Sequence, residues 1–225
     1  LEKISNDNYS SLYGLEGTSP IINDTSTLES VIEFTGNKDD LYLELSAESY
    51  EKMNLQNSDR YEFIYPYYSL SKSFDLDDSF FENYEITSSG NQKKYSTNIY
   101  EALQINDILI QSNNFVIKES FNSNFRTLIK NVNTKGQNSS IYKDETQSEI
   151  LSNFIYDISL PMRKTEEKYT KFLTPKLSLR HSPNNTKNIQ TKDRQLNIDN
   201  LFSLNRIGID DDVEGGTSLT LGNEF

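Results

Sequence analysis

The sequence predicts an all-β protein, an antiparallel meander of roughly eight to eleven strands. Apolar and polar residues alternate in many short segments, and helical periodicity of good quality is scarce. Clusters of Asn, Ser, Asp and Gly separate these segments along the whole chain. Strands that follow one another through short turns pair antiparallel, so the expected sheet is a meander.

The strand signals differ in clarity along the chain. Alternation is clearest in segments 41–48, 154–160 and 173–180, and the last of these puts Leu177 and Leu179 on one side and Lys176 and Arg180 on the other. A stripe of alternate aromatic residues also predicts a strand: Tyr61, Phe63, Tyr65 and Tyr67. The less regular candidates are segments 28–35, 99–110, 125–132 and 218–221. Of these, 99–110 also fits a helix.

Turn-forming residues predict the connections between these strands. The predicted turns are segments 54–58, 75–83, 88–92, 133–140, 183–188 and 210–216. In the last region we expect a strand ending near Ile209, a solvated acidic turn through Asp210–Gly216, and a return strand at 218–221.

Each strand is apolar on one face only, so that face must meet apolar material. A sandwich core and a closed barrel in lipid are the two solutions. Tyr and Phe near strand ends suit a lipid–water interface, but the pattern alone leaves both architectures open.

Composition excludes several functional classes. The chain has 34 acidic and 22 basic residues, a net charge of −12, and no strong basic run that would favour nucleic acid. It has no Cys, hence neither a disulfide framework nor a thiolate site. The sequence has no stretch of eighteen apolar residues, so it predicts no membrane helix. The first residue is Leu1, and we expect the chain to be a piece of a longer protein.

No pattern in the sequence predicts an enzyme, a cofactor or a metal site. The single histidine, His181, has no flanking carboxylates or Cys with which to form a zinc site, and we expect it at a strand end. Two acidic groups lack the spacing of a calcium loop. The first comprises Asp75, Asp77, Asp78 and Glu82, and the second comprises Asp210, Asp211 and Asp212. Nucleophile, phosphate-loop and zinc-protease motifs are absent, and a β-fold hydrolase is the weakest alternative.

Several strings together resemble one known family. They are DRYEFIYPYYSLSKSF (59–74), YSTNIYEALQINDILIQS (95–112), FRTLIKNVNTKGQNSSIYK (125–143), FLTPKLSLRHSP (172–183) and NLFSLNRIGIDDDVEGGTSLTLG (200–222). In this order they are similar to the C-terminal region of the LptD family, the lipopolysaccharide-assembly or organic solvent tolerance proteins. The likeness covers most of residues 28–225. Residues 1–27 resemble the family only weakly, and we expect a loop or strand remnant there.

The resemblance implies a fold, a location and partners. LptD proteins form a large outer-membrane β-barrel that follows a periplasmic jellyroll, and they insert lipopolysaccharide into the outer leaflet together with an LptE-type lipoprotein plug. Residues 1–225 would then be a partial barrel domain without the jellyroll, which would connect to the periplasmic transport bridge. This implies an outer-membrane translocon component in a Gram-negative bacterium, with no catalysis. The alternative from the residues alone is a soluble β-sandwich that binds glycans.

The resemblance also singles out individual residues. Family-signature positions are Pro175, Asn205, Arg206, Glu214, Gly215 and Gly216. Lys176, Arg180 and Arg206 are candidate lumen cations for lipopolysaccharide phosphates, the alternative being that they pair with carboxylates of neighbouring strands. The sequence departs from the family at Asp212, where an Arg is usual, and at His181, where Tyr is frequent.

Overall fold

A computed structural model describes residues 27–53, 55, 59–76, 80–96, 98–166, 168–185, 196–206 and 208–224. Within them lie eleven strands and no helix. The strands are β1 (Thr27–Lys38), β2 (Leu41–Lys52), β3 (Tyr61–Asp75), β4 (Phe81–Tyr95), β5 (Ile99–Ser112), β6 (Phe115–Ile117), β7 (Phe121–Gln137), β8 (Gln147–Ser159), β9 (Met162–Thr165), β10 (Thr170–Ser182) and β11 (Gly216–Glu224).

The strands form one antiparallel meander, which confirms the predicted fold class. Their order is β1-β2-β3-β4-β5-β7-β8-β10-β11, with the short strands β6 and β9 paired to β7 and β10. Within the described residues β1 pairs only with β2 and β11 only with β10, so hydrogen bonds do not close the sheet.

The described part of the chain contains no helix of the length and apolarity that crossing a membrane requires.

Two of the hairpins use tight turns whose central residues have positive φ. Asp39 and Asp40 connect β1 to β2 with φ of 47° and 61°. Lys118 and Glu119 connect β6 to β7 with φ of 49° and 61°, and Ser120 N donates to Ile117 O across the turn at 3.3 Å. Positive φ at both central positions matches the twist of antiparallel strands, which explains why the chain reverses within so few residues.

The chain divides into two compact units. Unit 1 comprises residues 1–71, 87–105 and 133–148, and unit 2 comprises residues 72–86, 106–132 and 149–225.

In unit 1 the β1–β2 hairpin has one apolar and one acidic face. Phe34 lies opposite Leu45, and both side chains are exposed, at 61% and 42%. On the other face Glu33 lies opposite Ser46, which is buried at 8%. The apolar face of this hairpin is therefore exposed at Phe34 and Leu45, and its acidic face is covered at Ser46. The predicted aromatic stripe on β3 is exposed at Tyr61, Phe63 and Tyr65 as well.

Unit 2 has the same inverted arrangement on β8, β10 and β11. Their cross-strand register and alternation assign an apolar face to Tyr156, Ile158, Leu177, Leu179, Leu219 and Leu221. The opposite, polar face carries mainly Asn153, Asp157, Ser178, Arg180, Ser218 and Thr220. Leu219 is 62% exposed, whereas Arg180 is only 3% exposed. Here too the apolar face is open and the polar face is covered.

Burial across the described residues follows this inversion. Twelve buried side chains are polar or charged and eight are hydrophobic. In water-soluble domains the fully buried positions are dominated by aliphatic and aromatic residues. The covered side of this sheet is thus more polar than an ordinary protein core.

Three local predictions are wrong. Segment 88–92 lies inside β4, and residues 133–137 continue β7, so Asn, Ser and Gly there occupy sheet positions and do not form turns. The expected strand before Ile209 is absent, because residues 196–206 and 208–215 contain only turns, bends and irregular backbone. Segment 99–110 is entirely strand, as one of its two interpretations predicted.

Candidate functional site

The most elaborate polar site lies in unit 2, where an irregular segment covers the polar face of the sheet. We call this segment, residues 196–215 without 207, the strap. It begins with a turn in which Asn197 Oδ1 accepts hydrogen bonds from the backbone N of Asp199 and Asn200 at 3.0 and 3.1 Å. Asn side chains stabilise such turns by replacing a backbone acceptor.

Three side chains of the sheet bind the strap through its backbone carbonyls. Arg126 Nη2 donates to Phe202 O at 3.0 Å, Asn153 Nδ2 donates to Leu204 O, and Arg180 Nε donates to the same Leu204 carbonyl at 3.5 Å. Because β7, β8 and β10 each supply one donor side chain, the strap is held across three strands.

An ion-pair cluster fixes the far part of the strap. Arg206 forms a bidentate pair with Glu214, from Nε to Oε2 at 2.8 Å and from Nη2 to Oε1 at 2.5 Å. Arg180 contributes from the sheet, with Nη1 at 3.8 Å from Glu214 Oε2 and Nη2 donating to the Glu214 carbonyl. Two of the three candidate cations, Arg180 and Arg206, thus meet on one carboxylate. They form ion pairs, but with Glu214 of the strap and not with a neighbouring strand as the alternative expected.

The acidic triplet of the strap is covered at one position only, because Asp212 is buried whereas Asp210 is exposed. Asp212 is 1% exposed and the neighbouring Val213 is fully buried, so the prediction of a solvated acidic rim is wrong at Asp212. Asn205 Nδ2 donates to Ile209 O at 2.9 Å and to Asp212 O at 3.5 Å, which closes the chain between them. Burial here depends on contacts with distant strands, and the local sequence carries no signal of it.

The third candidate cation, Lys176, lies apart from this cluster. Its Nζ forms an ion pair with Glu224 of the adjacent strand β11. Lys176 lines a cavity of about 400 Å³ between the strap and the sheet. The other charged lining residues are Arg126, Asp157, Asp199 and Glu224. Arg126 Nη2 is 2.9 Å from Asp157 Oδ2. The cavity is therefore polar, with charges of both signs, and of a size that small-molecule sites have.

The remaining signature residues have backbone roles. Gly216 has φ of +90°, a conformation that L side chains rarely adopt, and it starts β11 directly after the strap. Pro175 lies between the β10 residues that pair with β9 and those that pair with β8. Because Pro175 pairs with neither of these strands, its missing N–H removes no hydrogen bond from either ladder. Gly215 precedes Gly216 as the last residue of the strap.

His181 belongs to β10, one residue before its end. Its Nδ1 lies 2.8 Å from Thr217 Oγ1, and the pair is exposed. This is the strand-end position expected for a single histidine without metal ligands around it.

Sequence reasoning missed Arg126 and Asn153. Asn153 continues the clear alternation of segment 154–160, which predicts its place on the polar face, whereas Arg126 lies in the less regular segment 125–132, where alternation does not assign a face. Their binding of strap carbonyls could not be predicted from the pattern, because the contacts span 76 and 51 residues of chain.

Among the described residues no group of three or more His, Cys, Asp or Glu side chains is arranged to hold a metal ion. Asp77 and Asp78 of the first acidic group lie outside the described residues.

The sequence matches no family model, and no curated protein matches it in a sequence comparison.

Proposed function

We propose that this chain is part of an outer-membrane β-barrel that inserts lipopolysaccharide into the outer leaflet. The observation that carries the proposal is the inverted sheet, with exposed Leu219 and Phe34 on apolar faces and buried Arg180 on a polar one. Lipid is the solvent that stabilises an exposed apolar face, since each apolar side chain removed from water lowers the free energy.

Strand length supports a membrane sheet. A strand that crosses the hydrocarbon region needs about 9–11 residues, and the strands on the main path have 9 to 17. In hydrocarbon every backbone polar group requires a partner. In a barrel the outer edges of β1 and β11, which pair with no other described strand, would therefore need hydrogen-bond partners.

The assignment to lipopolysaccharide insertion rests on the likeness to LptD in the five strings quoted above. The strap contains Asn205, Arg206 and Glu214, and the polar cavity beneath it is lined by Arg126 and Lys176. Arg126 and Lys176 are paired with Asp157 and Glu224, and each cation would exchange its carboxylate for a phosphate of the lipopolysaccharide head group. An LptE-type lipoprotein and the periplasmic transport bridge would be the partners, and no catalytic residue is required.

A soluble β-sandwich that binds glycans is the other class. It needs a second layer over the apolar face, because exposed apolar patches of this kind are unfavourable in water. All strands of the described residues belong to one sheet. The barrel therefore requires fewer additional assumptions about what covers the apolar face.

Site-specific photo-crosslinking in Gram-negative cells tests the proposal. A crosslinker at Asn124, which lines the polar cavity, should capture lipopolysaccharide. The control position is Leu219 on the apolar face, where we expect adducts of the bulk lipid around the barrel. Absence of lipopolysaccharide adducts at Asn124 contradicts the transport role, and recovery of the protein in the soluble envelope fraction contradicts the barrel itself.

A further inference from the structure

A second cavity lies in unit 2 and is built quite differently from the polar one. It is a groove of about 460 Å³ with mostly aliphatic and aromatic lining. Its floor is one cross-strand row, because Leu177 of β10 lies directly opposite both Ile158 of β8 and Leu221 of β11. A second row, Ile117 opposite Phe121, bounds it on the β6–β7 hairpin.

The charged residues of this groove have one sign. Of its lining residues only Lys118 and Lys176 are charged. Lys176 pairs with Glu224, so Lys118 is the cation that the groove offers to a ligand. Lys118 is exposed and sits in the tight β6–β7 turn, which fixes its backbone next to Ile117.

We propose that this groove is a binding site for an anionic phospholipid of the surrounding bilayer. One acyl chain would lie between the two apolar rows, with Leu221 (73% exposed) on its floor, and the phosphate would contact Lys118. Burial of methylene groups against the rows supplies affinity, and the lysine supplies preference for a negative head group. The inference rests on the proposed membrane location of the apolar face, but it is independent of lipopolysaccharide transport.

Fluorescence quenching by lipids with brominated acyl chains tests this site. The chain contains no Trp, so Phe121→Trp adds a reporter inside the groove, and subtraction of the unsubstituted protein isolates its signal. Phe154→Trp is the matched control. It changes the same residue type on the apolar side, its exposure is 39% against 38% for Phe121, and it does not line the groove.

The protein is reconstituted in phosphatidylcholine vesicles that contain a minority of brominated phosphatidylglycerol or brominated phosphatidylcholine. At position 121 we expect the anionic lipid to quench about two- to fivefold more strongly, the enrichment that one lysine near anionic lipid gives. At position 154 the two lipids should quench equally. Lys118→Glu in the Phe121→Trp background should abolish the preference, and Lys118→Arg should retain it.

The other outcomes overturn the inference in distinguishable ways. Equal quenching by both lipids at position 121, or a preference that survives Lys118→Glu, removes the specific site but leaves the membrane location intact. Quenching at 154 without quenching at 121 means that protein, a second copy or a partner, covers the groove. Absence of quenching at both positions removes the membrane location and the proposed function with it.

Discussion

The ion pair between Arg206 and Glu214 is the strongest single-residue contact of the strap. Its side chains are 6% and 22% exposed, and the guanidinium donates two parallel hydrogen bonds to the carboxylate. Removing one partner of such a pair leaves a charge that water solvates poorly. Arg206→Ala should therefore lower the free energy of unfolding by about 2–4 kcal/mol, measured by urea denaturation in detergent micelles.

A surface ion pair provides the control for this measurement. Lys164 Nζ lies 3.1 Å from Glu166 Oε1, with the lysine side chain 75% exposed. Hydrogen bonds from Tyr169 and Lys164 lower the pKa of Glu166, yet water screens the attraction. Lys164→Ala should leave the unfolding free energy unchanged within the error of the measurement. Equal effects of the two variants would mean that the Arg206 pair is not a structural contact of the strap.

At the scale of elements, local sequence predicts β10 but does not predict the strap. Alternation in segment 173–180 predicted which side chains share a face, and the register with β8 and β11 places Leu177 and Leu179 as expected. The strap has no periodicity. Its conformation depends on donors from β7, β8 and β10. The local sequence alone therefore predicts a strand and a turn there, and that prediction is wrong.

The contact between the strap and β11 makes the docking of this element testable. A Cβ atom at Gly222 would lie 2.8 Å from Phe202 Cζ, closer than real side-chain contacts. Gly222→Ala should displace the ring at a cost of about 1–3 kcal/mol and loosen the strap. The measurement is limited chymotrypsin cleavage after Phe202, which we expect to accelerate about fivefold or more.

Gly36→Ala is the control substitution on β1. The added Cβ would meet Phe34 Cε1 at 3.8 Å, an ordinary van der Waals distance, so cleavage after Phe202 should keep its rate. An unchanged rate in Gly222→Ala, or the same acceleration in both variants, would refute docking of the strap through Phe202.

At the scale of the whole molecule, the alternating pattern predicted an all-β meander and left the environment of its apolar face open. A period of two fixes which residues share a face, but it is the same for a sandwich core and for a lipid-facing barrel. The exposed fractions of particular side chains indicate which environment the apolar face meets. Ile32 is 76% exposed while Lys130 is 4% exposed, the reverse of what water as the only solvent favours.

One substitution in the middle of β11 tests whether the exposed apolar face lies in lipid or in water. Leu219 is 62% exposed. On a surface in water, Leu219→Arg would change stability by no more than about 0.5 kcal/mol. In the hydrocarbon region an arginine on the lipid face costs about 2–4 kcal/mol near the midplane. We therefore expect Leu219→Arg to lower the free energy of unfolding measured in lipid vesicles by about 2–4 kcal/mol.

Leu196→Arg is the control, at a position 57% exposed on the strap and outside the sheet. Its free energy of unfolding should stay within about 0.5 kcal/mol of the parent. If both arginines are tolerated equally, the apolar face lies in water, because lipid would penalise only the one at position 219.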